Sequence, residues 1–180
     1  HIGLLLGERS GLHVLGMLGD LLLNSADVGS ALRSLILYLH LHDRASVPAL
    51  CIEGQQSRFV YSIYQPKVPG VAHIYDAALL ITCHTIERLA GPNWRPLEVH
   101  LARPQPDDSR PYRQFFRAPV KFDIEQSAVV FESGWLEQPI DHADTTMHAI
   151  LMREMEMLES RGPGDVVEQL RRVLRLLLIT

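Results

Sequence analysis

The chain has 180 residues, a formal net charge of −4 at pH 7 and two cysteines, and 47% of its residues are hydrophobic. This composition is typical of one folded domain of ordinary size and unlike that of a disordered protein. No apolar run approaches the roughly 18 residues that a membrane-spanning helix needs. The net negative charge disfavours direct binding to a nucleic-acid backbone. Two cysteines are too few for a disulfide framework or a four-cysteine zinc site.

The first part of the sequence shows helical periodicity. Residues 1–9 hold an apolar cluster that fits either a helix or a short strand. Apolar residues then recur at helical spacing from residue 12 to residue 23, in a pattern that Gly16 and Gly19 weaken. Asp27 follows a polar loop and has a side chain suited to an N-cap, so we expect a second helix from there to about Asp43.

The period changes to two after this second helix. Residues 48–53 and 57–64 alternate apolar and other side chains, and the turn-forming residues Gly54, Gln55 and Gln56 lie between them. This pattern predicts a β-hairpin. Residues 71–90 carry a wide apolar stripe at helical spacing and predict the clearest helix of the chain.

The second half of the sequence alternates again between strand and helix patterns. Residues 97–101 predict a half-buried strand, residues 112–117 a short helix and residues 120–131 a second hairpin. Two helices, 144–160 and 166–179, complete the chain. Helices that are segregated from hairpins predict an α+β fold, with a mostly antiparallel sheet of about five strands packed with several helices.

Sequence motifs for catalysis or cofactor binding are missing. His73 and His84 lie about 16 Å apart along one predicted helix, too far for one metal ion, and the remaining histidines show no ligand spacing. No nucleophile elbow, phosphate-binding loop or dinucleotide fingerprint is present. Cys51 and Cys83 lie in apolar surroundings, so we expect both thiols to be buried and reduced. We therefore expect no catalysis, no metal and no cofactor.

Short motifs occur in a defined order along almost the whole chain. The longest are residues 91–107 (GPNWRPLEVHLARPQPD) and 112–122 (YRQFFRAPVKF), followed by residues 126–131 (QSAVVF). Earlier and later segments match as well: LGMLG and DVGSAL within residues 15–32, LEQPIDHAD at 136–144, and the apolar stretch 166–178 with its RRVL. Together they resemble the N-terminal effector-binding domain of one large group of AraC-type transcription regulators. Ser127 departs from this pattern, since the family usually has Asn there.

The resemblance implies a ligand-sensing and dimerisation domain of a bacterial regulator that forms homodimers. We expect the protein to be cytoplasmic, since the sequence shows no secretion signal. DNA would be read only by a C-terminal helix-turn-helix domain that this chain lacks, and no membrane is involved. The chain begins at His1 without Met and ends within a helical pattern, so we expect it to be a fragment. We assign residues 1–164 to the sensor domain and residues 165–180 to the helix leading towards the DNA-binding domain.

The effector site is expected between the predicted helix 71–90 and one face of the sheet. Such a pocket would be mostly apolar with a few polar anchors. An apolar or amphipathic effector is therefore expected, since no phosphate cradle is visible. The candidate ligand-binding residues are Phe59, Tyr61, Ile74, Ala78, Thr82, His84, Val99 and Phe131. The alternative interpretation is that these residues only fill the core, because apolar stripes at helical spacing usually pack.

The last predicted helix is apolar around more than one face and needs cover on two sides. We expect a partner chain to cover one side, and the candidate interface residues are Leu170, Leu174, Leu177 and Leu178. A core formed within the domain is the competing interpretation. Two other functions stay open at this point: an enzyme acting on a small apolar acid, and a protein-interaction module without a small ligand.

Overall fold

The computed structural model describes residues 1–63 and 69–160, together with Leu174. Within these residues the chain forms an α+β fold with one five-stranded, mostly antiparallel sheet, which confirms the predicted class. The helices are α1 (Ile2–Arg9), α2 (Met17–Leu23), α3 (Val28–Tyr38), α4 (Val71–Ala90), α5 (Arg110–Phe116) and α6 (Thr145–Ser160). The strands are β1 (Ser46–Glu53), β2 (Gln56–Ile63), β3 (Glu98–His100), β4 (Val120–Lys121) and β5 (Ala128–Glu132).

The apolar cluster at the start of the chain is helical, as α1. The helical pattern of residues 12–23, which Gly16 and Gly19 weaken, divides into a 3₁₀ turn, Leu12–Leu15, and α2. Gly16 separates the two with φ of +54°, a backbone conformation that glycine adopts at little cost. The same turn brings Gly19 so close to the 3₁₀ turn that a Cβ atom there would overlap the carbonyl oxygen of Leu12.

The predicted cap of the second helix is confirmed. Asp27 Oδ1 accepts a hydrogen bond of 2.7 Å from the Ser30 backbone N–H, which satisfies one free donor of the first turn of α3. The helix continues as a 3₁₀ turn to Leu41, close to the predicted end near Asp43. Its apolar face is buried and includes Val28, Leu32, Leu35 and Ile36.

The first predicted hairpin is also confirmed. Strands β1 and β2 pair antiparallel from Ser46–Ile63 to Glu53–Gln56, and Gly54 takes the positive φ of +63° in the turn. β1 lies at the edge of the sheet. Pro48 has no amide proton to donate, and an edge strand tolerates it because one side of the strand forms no ladder hydrogen bonds.

The second predicted hairpin, residues 120–131, is wrong. The strand order is β1-β2-β5-β3-β4, so β3 separates β4 from β5. β5 pairs antiparallel with β2 and β3, whereas β4 pairs parallel with β3 over two residues. The physical reason is burial: Ala128–Phe131 are all buried, which requires a central strand with neighbours on both sides. Ser127 helps to join these strands, because its Oγ accepts a hydrogen bond of 3.0 Å from the Ala102 N–H.

The two cysteines differ in their surroundings, and neither forms a disulfide. Cys83 on α4 is buried as expected, and burial raises the pKa of its thiol. The expectation that Cys51 is buried is wrong, because it lies on the edge strand β1 and is only partly covered.

The structure describes only part of the predicted C-terminal helices. Helix α6 agrees with the predicted helix 144–160, and Asp144 Oδ1 accepts hydrogen bonds from the N–H groups of Thr146 and Met147 at its start. The predicted helix 166–179 lies outside the described residues except for Leu174, which is helical and 51% exposed. No helix in the described ranges combines the length and apolarity needed to cross a bilayer.

Candidate functional site

Three of the predicted ligand-binding residues lie together on one face of the sheet. Phe59 and Val99 both stand opposite Val129 in the strand register, and Phe131 lies two residues further along β5. All three side chains are at most 1% exposed, and Phe131 packs edge-to-face on Trp94 with ring centroids 6.2 Å apart. Their contribution to ligand binding stays a prediction, since in this structure they are part of the close-packed core.

The other predicted residues are distributed around α4 and the neighbouring strand. Tyr61 donates a hydrogen bond of 3.0 Å to Asp43 Oδ2, and Thr82 donates one of 2.8 Å to the Ala78 carbonyl oxygen. Both hydroxyl groups therefore already have protein partners. Ala78 is partly buried and Ile74 is 38% exposed. Of the eight predicted residues, His84 is the one that lines the cleft described next.

A solvent-open cleft of about 560 Å³ lies between α4 and the segment that contains the 3₁₀ turn and α2. Its volume falls within the range of roughly 300–1,000 Å³ that is usual for small-molecule sites. The lining residues are Ser10, Gly11, Leu12, His13, Gly16, Gly19, Asp20, Leu23, His84 and Arg88.

The glycines of the N-terminal segment shape this cleft. Gly16 turns the chain between the 3₁₀ turn and α2, and a Cβ atom there would meet nothing within 4 Å. Gly19 allows α2 to approach Leu12 closely. The two leucines, Leu12 and Leu23, provide apolar wall, and the glycines leave room beside it.

His84 connects α4 to the N-terminal segment beside the cleft. Its Nε2 lies 3.5 Å from Glu8 Oε2, and its Nδ1 lies 3.4 Å from the Ser10 carbonyl oxygen. Both ring nitrogens thus face acceptors on the N-terminal segment. Arg88, four residues later on α4, lies one helical turn away on the same face. Its side chain is exposed and makes no hydrogen bond or ion pair with the described residues.

A second polar cluster on α4 is mostly buried. Asp76 is fully buried, and its Oδ2 accepts hydrogen bonds from Arg103 Nη1 at 2.8 Å and from the Tyr112 hydroxyl at 2.9 Å. Arg103 Nη1 also donates to the Tyr112 oxygen at 2.9 Å. Burial raises the pKa of Asp76 above its ordinary value, although Tyr112, Arg103 and the nearby His73 act to lower it. Burial together with Asp76 raises the pKa of Tyr112 to about 12. This cluster joins α4 to α5 and to the end of β3.

Apolar side chains are exposed along one face of α6. Met155 is buried, whereas Met147, Ile150 and Leu158 are 44%, 53% and 42% exposed. Of the predicted interface residues, Leu174 is half exposed, and Leu170, Leu177 and Leu178 lie outside the described residues.

No group of three or more His, Cys, Asp or Glu side chains within the described ranges is arranged to hold a metal ion. Arg88 and Asp20 line the cleft but were not among the predicted site residues. Arg88 could have been suspected from its position four residues after His84 on a largely apolar helix. Asp20 is the charged residue of the otherwise apolar segment that becomes α2.

Comparison with known proteins supports the motif resemblance. The family described as "Arabinose-binding domain of AraC transcription regulator, N-term" matches residues 1–140. The chain is 25% identical over 156 residues to the HTH-type transcriptional regulator VirS of Mycobacterium tuberculosis, which covers 86% of this chain and 46% of that protein. It is 28% identical over 180 residues to the Ornithine utilization regulator of Pseudomonas aeruginosa, covering 98% of this chain and 52% of that protein.

A solved structure shows the same fold. The transcriptional regulator CdpR of Pseudomonas aeruginosa superposes with a TM-score of 0.75 at 20% sequence identity, over 97% of this chain and 58% of that one. The chain spans about half the length of the curated relatives named above. The family match extends over most of the chain, from α1 to the residues before α6. The chain therefore belongs to the family of N-terminal arabinose-binding domains of AraC transcription regulators.

Proposed function

We propose that this chain is the effector-sensing domain of a homodimeric, cytoplasmic bacterial transcription regulator. In this proposal a small apolar or amphipathic molecule binds the domain and controls DNA binding by a C-terminal helix-turn-helix domain. The observation that carries the proposal is the cleft between α4 and the N-terminal segment, in a domain whose family belongs to AraC regulators. The names of the two curated relatives describe regulators, one of them of ornithine utilization.

We place the effector in this cleft rather than between α4 and the sheet. The sheet face that carries Phe59, Val99 and Phe131 is close-packed, and a ligand there would have to displace core side chains. The cleft is open and has the volume of a small-molecule site. Its lining combines apolar side chains with charged groups that have no partner among the described residues. His84 belongs to both the predicted site and the cleft.

A thermal-shift screen with a small-molecule library tests the proposed function on the 180-residue chain. A sensor is stabilised by its ligand through mass action, by about 2.7 kcal/mol when the ligand is present at about a hundred times its Kd. We expect at least one compound to raise the Tm and to be recovered unchanged. Chemical turnover of that compound would identify an enzyme instead. A response to a partner protein alone, with no compound acting, would identify an interaction module.

We further propose that two copies of the domain pair through α6 and the helix that the sequence predicts after it. The support is the exposed apolar face of α6, together with the exposure of Leu174. Exposed apolar side chains in a row are typical of protein–protein interfaces. Two-fold pairing is also the natural geometry for regulators that read paired half-sites.

Sedimentation tests this pairing. We expect the wild-type chain to be a dimer at high micromolar concentration, and replacement of Leu174 and Leu178 with glutamate to give a folded monomer. Ile52 on β1 is 51% exposed and provides the matched control, since its replacement with glutamate should leave the dimer intact. A wild-type chain that sediments as a monomer would contradict the proposal before any variant is made.

A further inference from the structure

The cleft contains charged groups of both signs that have no partner among the described residues. Arg88 on α4 and Asp20 on α2 both line it, and both are exposed. Neither side chain makes a hydrogen bond or an ion pair with the described part of the chain. Within the described part of the chain, a ligand in this cleft therefore meets the unpaired cation Arg88 on α4 and the unpaired anion Asp20 on α2.

The neighbouring carboxylates that could neutralise Arg88 are engaged elsewhere. Glu87 lies 2.7 Å from an Arg95 nitrogen and 3.7 Å from an Arg117 nitrogen. Glu8 faces His84, whose second nitrogen faces the Ser10 carbonyl oxygen. His84 thus serves to hold the cleft wall, and Arg88 is the group on this face of α4 that is free to bind an anion.

These charges select the chemistry of the ligand. A guanidinium binds a carboxylate through two parallel hydrogen bonds, and the Asp20 carboxylate is a matching acceptor for an ammonium group. Leu12 and Leu23 provide apolar surface for a short carbon chain. A monocarboxylic acid would leave Asp20 unpaired, and a highly phosphorylated ligand would be repelled by it.

We propose that the cleft binds a small zwitterion, a molecule with a carboxylate, an ammonium group and a short carbon body, of the kind represented by α-amino acids. Arg88 binds the carboxylate, and Asp20 binds the ammonium group. This assignment rests on the proposed sensing function and specifies the chemical class of its effector.

Isothermal titration of the 180-residue chain tests the assignment with three amino acids: L-norleucine, L-phenylalanine and L-lysine. Two single-charge analogues of norleucine, hexanoate and pentylamine, complete the set. We expect at least one amino acid to bind, and norleucine to bind about tenfold more tightly than either analogue, because each lacks one charge-assisted contact. Failure of all three amino acids to bind at millimolar concentration would overturn the assignment.

Two substitutions test the two charged groups one at a time. Arg88→Gln should weaken the binding of the amino acid about tenfold and leave the affinity for pentylamine unchanged. Asp20→Asn should weaken the binding of the amino acid and leave the affinity for hexanoate unchanged. The matched controls are Arg113→Gln and Asp141→Asn, at exposed positions that do not line the cleft. Unchanged affinity in both cleft variants, each with a wild-type melting curve, would overturn the assignment.

The experiments distinguish failure of the zwitterion assignment from failure of the proposed sensing function. If a neutral library compound stabilises the chain while no amino acid binds, the domain is still a sensor and the zwitterion assignment fails. If compounds of every class fail to bind, both proposals fail.

Discussion

Replacing Arg103 with methionine should lower the free energy of unfolding by about 3–5 kcal/mol at neutral pH, the usual cost of removing one partner from a buried ion pair. Arg103 donates to Asp76, whose side chain is fully buried, and to the Tyr112 hydroxyl. Methionine keeps most of the volume of the arginine stem, so the loss reports mainly the missing charge. Urea denaturation monitored by circular dichroism measures the change.

The pH dependence of this loss follows from the pKa of Asp76. Burial raises that pKa above its ordinary value of 3.8, while the Tyr112 hydroxyl and the Arg103 charge act to lower it. Without Arg103 the pKa rises further, and the folded state retains the proton more strongly than the unfolded chain. A raised carboxyl pKa contributes stability below pH 3.8 that is lost as pH rises through the folded-state pKa. The deficit of the variant should therefore be smallest in acid and largest at neutral pH.

A surface pair provides the control. Arg110 pairs with Asp108 at 2.9 Å in an exposed position, and Arg110→Met should leave stability unchanged because water screens such pairs. The single variant Asp76→Asn and the double variant Asp76→Asn/Arg103→Met complete a mutant cycle that isolates the coupling between the two groups. A loss below about 1 kcal/mol in Arg103→Met would show that Asp76 is solvated after all.

Replacing Gly3 with alanine should destabilise the protein by about 1–3 kcal/mol, the usual cost of overpacking a close contact. Gly3 and Gly7 allow α1 to lie against α4 at short distance. A Cβ atom at Gly3 would overlap the carbonyl oxygen of His73 and lie 2.8 Å from Cβ of Asp76. These atoms belong to the backbone and the base of a side chain, so they cannot move aside without shifting the helix.

Two effects oppose each other in this variant. Alanine favours a helix over glycine by about 1 kcal/mol, and the overlap with α4 must exceed this gain for the variant to be less stable. Gly134→Ala is the matched control, because a Cβ atom there meets nothing within 4 Å. Urea denaturation gives the global effect, and faster amide exchange confined to α1 would locate the damage at this helix pair. A Gly3→Ala protein as stable as wild type would contradict the close packing of α1 on α4.

The sequence was sufficient to predict the helices, the cap and the hairpin that depend on residues close together in the chain. The apolar stripe of residues 71–90 is α4, Asp27 caps α3, and the alternation around Gly54 is the β1–β2 hairpin. Each depends on side chains within a few residues of one another, so periodicity and capping chemistry were sufficient. The order of short motifs was likewise sufficient to predict the family that the comparison confirms.

The pairing of β5 and the position of the cleft depend on contacts between residues that are distant in sequence. β5 lies between β2 and β3 because its buried residues need a neighbour on both sides, which the local pattern of residues 120–131 does not reveal. The cleft forms because Gly16 turns the chain and places Asp20 near α4, where His84 and Arg88 lie. The sequence by itself therefore determined the family, the fold class and most helices, and tertiary packing decided which charged side chains meet, because a site between segments exists only once they are folded together.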